Sequence, residues 1–473
     1  MRKQPMLLMI PVVSVLVLAG LGRPVLADEP ADAPEAKTDE LSFLKDVAPI
    51  LTKNCLACHN AKDAKGRFDL TTFESLMKGG EQGDTVLPGD GELSNLALVL
   101  ADGTMPKDGE PLPKEQVDRI TRWIDEGAKF DGPSPTVALA TLIPREPQPA
   151  PPESYRVPIA ITALAFSPDG TQLAAAGYHE VTLWNPNDGA LVRRITNVAE
   201  RTYGIAFSPD GKLMATASGT PAELGEVKVW NTQDGALVKD LLATSDTEFA
   251  VAFSPDGKYL AAGGADRAIR IWEVESGVEK VVVEDHADWV MALAWSPDGA
   301  QLASASRDKT SKVFNTDSGD SVVTFPGHGE PVFAVGFSQD GKLVATAGRD
   351  KQVRLWDPVE AKQARAIGGH GADIYALVYT PDGASLYTGS ADKTVRQFNA
   401  GDGKQVRSFE GHADWVYSVA LNPATKRLAT GSWDGEVRVW NVEDGTALTS
   451  FIAAPGYKAD AAVTAQAATE SSK

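Results

Sequence analysis

One phrase, repeated at a nearly fixed interval, limits the fold of this chain more than any other feature. An apolar-aromatic pair followed by Ser-Pro-Asp-Gly, or a near copy of it, places its Asp at 169, 210, 256, 298, 340 and 382. The intervals are 41, 46 and then a steady 42, and a last step of 42 leads to a degenerate seventh copy, Leu421-Asn422-Pro423-Ala424. A second aromatic marker keeps the same rhythm at Trp184, Trp230, Trp272, Phe314, Trp356, Phe398 and Trp440. Each unit holds four short apolar runs split by turn signals; in the last unit they fall near 416–421, 427–432, 436–441 and 446–452. Four strands in about 42 residues is the mark of one propeller blade. Seven such units over 159–452 predict a closed ring without a long free edge.

Four histidines, His286, His328, His370 and His412, each stand 28 residues before their unit's aromatic marker. Being in four different blades, they cannot converge on one ion, so a structural role is expected. The units, for example GHADWVYSVALNPATKRLATGSWDGEVRVWN, resemble WD repeats, although only Trp356-Asp357 keeps the literal pair. The resemblance implies a buried network of His, strand Ser/Thr, turn Asp and Trp within a blade. His328, Thr346, Asp350 and Trp356 match it, as do His412, Thr430, Asp434 and Trp440. Phe314 and Phe398 lack the indole N–H, and the first three blades lack the His. Each blade is expected to supply its own four strands. Partners are expected on the face that carries the turn Asp. Trp289, Arg307, Arg349, Trp415 and Trp433 are the candidate contacts there, since large aromatics and Arg dominate interface energies. Blade 2 carries a longer loop at 219–225, either a specificity element or a tolerated insertion.

The chain has only two cysteines, which excludes a disulfide-stapled scaffold. Both lie in Cys55-Leu56-Ala57-Cys58-His59, the CxxCH pattern of covalent haem attachment. Two thiols three residues apart, on one helical turn, can each add to a vinyl group of the same porphyrin, and the adjacent His59 is placed to ligate the iron. A thioredoxin-type redox pair would need a βαβ context that the sequence lacks. Phe43, Leu44, Val47, Ile50 and Leu51 predict a helix before the motif, with Pro49 marking a kink or its first turn. Val117, Ile120, Trp123, Ile124 and Ala128 predict a second amphipathic helix.

Residues 41–131 (FLKDVAPILTKNCLACH, then TMPKDGEPLPKEQVDRITRWIDEGA) resemble a class I cytochrome c, most closely the cytochrome c domain of exported planctomycete proteins. The resemblance implies one covalent haem c on Cys55 and Cys58, with His59 and Met105 as axial ligands. Met105 otherwise reads as core filler, and Met77 is a weaker candidate for the same role. Trp123 is expected to pack on the haem edge or the first helix.

The remaining segments are read from composition. Residues 1–27 form a basic, then apolar, then small-residue pattern that reads as a secretory signal peptide rather than an uncleaved membrane anchor, because the apolar run from Met6 to Leu21 falls short of the ~20 residues needed to span a bilayer. The expected location is periplasmic or otherwise exported and soluble, with no membrane anchor after cleavage. Residues 28–40 read as a disordered acidic spacer. Residues 132–158 hold eight prolines and read as a semi-rigid linker, either extended as a spacer or lying along the second domain. Residues 453–473 read as a disordered tail. The net charge of -19 argues against nucleic acid, and removal of 1–27 makes it -22.

The expected fold is a small all-α cytochrome c-like domain followed by an all-β seven-bladed WD-repeat propeller. The expected function is one-electron transfer by a monohaem cytochrome whose propeller docks a protein redox partner bearing a basic patch. Two other readings are a haem-dependent oxidase or peroxidase-like enzyme and a non-catalytic redox-sensing scaffold. One CxxCH and a Met available to the iron favour electron transfer over catalysis.

Overall fold

The computed structural model describes residues 40–458, except 62, 63, 82, 108, 133, 144 and 146. The expected signal peptide, residues 28–39 of the spacer and residues 459–473 of the tail lie outside the described residues. No described helix is long and apolar enough to cross a membrane.

The described strands form seven four-stranded sheets, each an antiparallel meander in chain order. Blade 1 covers 164–195, blade 2 201–244, blade 3 248–283, blade 4 290–325, blade 5 332–367, blade 6 374–409 and blade 7 416–452. The innermost strands of adjacent blades pack on one another around the whole ring. The second strand of each blade is buried along most of its length, as with Leu173–Ala176, the third is mostly buried in most blades, and the outermost strands begin exposed and mostly become more buried toward their ends, as with Leu191–Ile195. That gradient explains the apolar middle runs of every unit.

The recurring phrase is a turn held by its own side chains. In blade 2 the Ser208 hydroxyl donates to Asp210 Oδ1 at 2.7 Å and accepts from Leu213 N at 2.9 Å. Gly211 sits at φ +72°, where a side chain is strained, so glycine recurs there. The degenerate seventh copy has a different task. Asn422 Nδ2 donates to the carbonyls of Ser167 and Pro168 at 3.1 and 3.2 Å, and Ser418 Oγ donates to Ile161 O at 3.1 Å. These bonds join blade 7 to blade 1 with no strand shared between them, as expected.

Residues 41–131 contain short helices: a π-helical turn at Phe43–Val47, α1 (Ala48–Asn54), α2 (Phe73–Lys78), α3 (Asn95–Ala101) and α4 (Lys114–Asp125). Pro49 stands in the first turn of α1, where its missing N–H costs nothing. Trp123 packs on Phe43 with ring centroids 5.0 Å apart, and its indole donates to Lys129 O at 3.0 Å. Phe73 and Phe130 complete this aromatic core.

The segment 132–158 takes the second of the two paths its composition allows. It contains a helical turn, α5 (Leu139–Leu142), and runs along the propeller. Leu139 N donates to Thr71 O on the helical side, and Ala138 N donates to Ser276 O of blade 3. Further on, Arg145 pairs with Asp240 at 2.7 Å and Gln148 N donates to Asn197 Oδ1 at 2.8 Å. Tyr155 donates to the fully buried Glu180 at 2.6 Å. The start of the tail is also ordered: Ala453 and Ala454 are buried, and Pro455 O accepts from Tyr155 N. Proline content left both paths open, and polar anchors outside the period decided between them.

Glu180 is held by Tyr155 and by two Arg194 nitrogens at 2.5 and 2.9 Å, and Arg194 also donates to the carbonyls of Pro152 and Glu153. Arg194→Ala leaves a buried carboxylate without its cation. A loss of about 3–5 kcal/mol is expected in denaturant unfolding, with faster protease cleavage within 145–158.

Candidate functional site

Helix α1 ends at Cys55, whose N–H closes on Leu51 O at 2.9 Å. The amides of Cys58 and His59 then both donate to Cys55 O at 3.1 Å, so the pentapeptide forms a turn after the helix rather than a turn of it. Cys55 is half-buried and Cys58 exposed. Burial, then the neighbouring Cys58, pushes the Cys55 thiol up to about 11. A thiol held protonated is a poor redox nucleophile. Lys65 Nζ lies 3.7 Å from Cys58 Sγ.

Cys55 and His59 face a cleft shared with Met105, which lies on the loop between α3 and α4 and donates its N–H to Val99 O at 3.0 Å. The other walls are apolar, from Leu70, Leu96, Val99 and Leu100, with Lys65 and Glu81 among its polar lining residues. The cleft is partly open to solvent and holds a cavity of about 210 Å³. His59 stacks edge-on to Phe68 at 5.4 Å, and its buried Nδ1 has no hydrogen-bond partner. Met77 lies on α2 against the helical core and is not part of the cleft lining.

In the propeller, three histidines bridge a strand hydroxyl and a turn carboxylate. His286 meets Ser304 and Asp308, both at 2.7 Å. His328 meets Thr346 at 2.8 Å and Asp350 at 2.9 Å, and His370 meets Thr388 at 2.7 Å and Asp392 at 2.9 Å. Burial, the largest single influence, raises these Asp carboxyls, but the His hydrogen bond and charge together with the neighbouring side-chain and backbone hydrogen bonds hold them below the usual range.

Both four-membered networks expected from the resemblance need correction. The Trp356 indole N–H is buried without a partner, because the ring stacks on Phe325 at 4.9 Å instead of reaching Thr346. In blade 7 Trp440 does donate to Thr430 at 3.0 Å and His412 Nε2 lies 2.7 Å from the same oxygen. His412 Nδ1, however, makes no hydrogen bond to Asp434; Glu436 Oε2 stands 3.6 Å away.

The blades without this His carry buried charges that sequence reading missed. Blade 1 has Glu180 with Arg194, blade 2 has Glu226 with Lys228 at 2.7 Å, and blade 3 has Glu248 near Arg270 and Asp266. These same blades receive the 132–158 segment. The signal was available: Glu248 falls where later blades have Val290, Val332, Ile374 and Val416.

The docking-face candidates fall into two groups. Arg307 lies over the Trp289 ring at 3.7 Å and bonds Asp288 at 2.8 Å, with Phe249 beside Trp289. Trp415 and Trp433 are both more than 40 % exposed and contact Tyr417, which stacks on Tyr375 at 4.5 Å. Arg349 is exposed, 4.0 Å from Asp373. The collar residues Tyr203, Phe249, Met291, Phe333, Tyr375 and Tyr417 were not foreseen. Each occupies a β-bulge near the start of its innermost strand. A bulge re-aims one side chain out of the sheet alternation. Their spacing of 46 and then 42 residues was the legible signal. The blade 2 insertion forms a lengthened hairpin, with Thr220 paired to Leu224 and Ala222 N donating to Asp246.

Fold, repeat register and His networks define a seven-bladed propeller of repeated four-stranded units. The family described as WD domain, G-beta repeat matches residues 156–185, 196–231, 241–273, 277–315, 319–357, 361–399 and 403–441, more than half of the sequence, and the chain belongs to it. The family described as Planctomycete cytochrome C matches residues 55–109, a stretch that contains Cys55, Cys58, His59 and Met105. The chain is also 36 % identical over 55 residues to an intraflagellar transport protein 122 homolog of Xenopus tropicalis. That match covers 12 % of this chain and 5 % of the relative.

Burial first, and then Asp266, pushes the Glu248 carboxyl up to about 8, against Arg270 and the Thr244 hydroxyl. Its folded value therefore lies above its unfolded one of about 4.3. Stability from this group is complete below the unfolded value and is lost as pH rises through 8. Glu248→Gln keeps the shape and removes the titration. Its melting temperature relative to the parent should rise between pH 5 and pH 9; a pH-independent difference would refute the assignment.

Proposed function

We propose that the chain is an exported c-type cytochrome that transfers single electrons, with the propeller as the platform that docks its protein redox partner. The observation that carries this reading is the shared cleft of Cys55, His59 and Met105. Cys55 and Cys58 would hold haem through thioether bonds, and His59 and Met105 would be the axial ligands. Bound there, haem would supply a one-electron iron couple, with the thioether raising its potential. The orphaned Nδ1 of His59 and the apolar walls suit that group.

The chain's own residues do the rest. Leu70, Leu96, Val99 and Leu100 form the apolar wall of the cleft, and the Met105 backbone bond to Val99 anchors the loop that presents its thioether. The 132–158 segment fixes the helical part against blades 1 to 3, so the propeller would present a docked partner to one orientation of the cleft. Trp289, Arg307, Arg349, Trp415 and Trp433 are the proposed contacts. The acidic surface favours a partner with a basic patch.

Two substitutions test the assignment. Cys55→Ser with Cys58→Ser should abolish covalent haem, read by haem stain on a denaturing gel. Met105→Ala should convert a low-spin ferric spectrum to a high-spin one and make the ferrous form bind carbon monoxide rapidly. A parent protein already high-spin would overturn electron transfer and favour the oxidase or peroxidase-like reading.

A further inference from the structure

Blade 7 contains a group of ligand atoms with no counterpart in blades 4 to 6. His412, Asp434 and Glu436 each offer one atom, and these atoms lie within 4.8 Å of one another. The His412 side chain is 1 % exposed, and its Nδ1 has no hydrogen-bond partner. In blades 4 to 6 the same nitrogen has a turn Asp at 2.7 to 2.9 Å. The difference traces to one residue. Glu436 stands where the earlier blades have Thr310, Gln352 and Thr394. Arg438 bonds Glu436 at 2.8 Å, whereas Arg354 and Arg396 bond the turn Asp of their blades.

Thr430 Oγ1 accepts from the Trp440 indole at 3.0 Å and lies 2.7 Å from His412 Nε2 and 3.4 Å from Arg438 O. With the ring proton on Nε2, His412 Nδ1 directs a lone pair toward Asp434 and Glu436, the donor set that a bound cation would complete.

We propose that His412 Nδ1, Asp434 and Glu436 bind a divalent transition metal of the zinc class. One imidazole nitrogen and two carboxylates, with water as fourth ligand, suit tetrahedral zinc; calcium takes six to eight oxygens. Ligands at zinc distances sit roughly 3.3 Å apart, and His412 Nδ1 lies 3.6 Å from Glu436 Oε2. Each ligand is oriented by an outer partner, as metal ligands commonly are. Thr430 holds His412, Arg438 holds Glu436, and the backbone amides of Ala413 and Glu436 hold Asp434 at 3.2 and 2.9 Å. The site adjoins Trp433, whose N–H donates to Trp415 O at 2.9 Å, so a bound ion would lock the turn that presents this exposed pair.

The test uses the full-length protein after dialysis against a chelator, with zinc chloride as the probe. Calorimetric titration should show one more site in the parent than in Glu436→Gln, and zinc should raise the melting temperature of the parent alone. His412→Ala risks unfolding blade 7, so Glu436→Gln, which keeps the shape, carries the comparison. Crystals soaked in zinc should give an anomalous peak beside His412 Nδ1 that the variant lacks. Equal stoichiometry in the two proteins, or anomalous peaks only elsewhere, such as the His59 cleft, would overturn the proposal.

Discussion

Closure of the ring is the constraint on which the rest depends. A propeller buries the apolar faces of its first and last blades only if the two meet. Here no outer strand is exchanged between blades 7 and 1. The joint is made by packing of the innermost strands and by Asn422 and Ser418 reaching backbone carbonyls of the first blade. The copy of the repeated phrase that departs furthest from Ser-Pro-Asp-Gly is the one at this joint, where the Asn422 amide crosses to the carbonyls of Ser167 and Pro168.

The ring is chemically uneven. Blades 4 to 6 are locked by His, hydroxyl and carboxylate, whereas blades 1 to 3 bury Glu180, Glu226 and Glu248 beside cations. Such charges are costly to bury alone and specify a structure only when partnered. Two of the partners also serve the connecting segment: Arg194 binds the carbonyls of Pro152 and Glu153, and Lys228 binds the carbonyl of Asn197, whose side chain receives Gln148. The blades that lack the histidine are thus those that seat 132–158, and with it the helical region.

Much of this was legible. The period gave the blade number, the four strands per blade and the absence of a shared strand. The CxxCH motif drew attention to Cys55 and His59, and the resemblance to Met105, before their common cleft was seen. The networks were less legible. Trp356 keeps the literal WD pair, yet its indole turns away because Phe325 offers a stacking surface. In blade 7 the sequence matched the expected residues, and Glu436, two positions beyond Asp434, changed what they do.

The sequence by itself determined the units, because each blade's contacts lie within about 42 residues and repeat, so local turns and alternation carry the information. Only the tertiary structure decided what happens between units: the path of 132–158, the bulged collar from Tyr203 to Tyr417, the blade 7 cluster and the side-chain bonds at the joint. Those features depend on contacts between residues distant in the chain, or on one substituted neighbour. Neither leaves a periodic trace, because burial and hydrogen-bond competition are settled only when the side chains share one space.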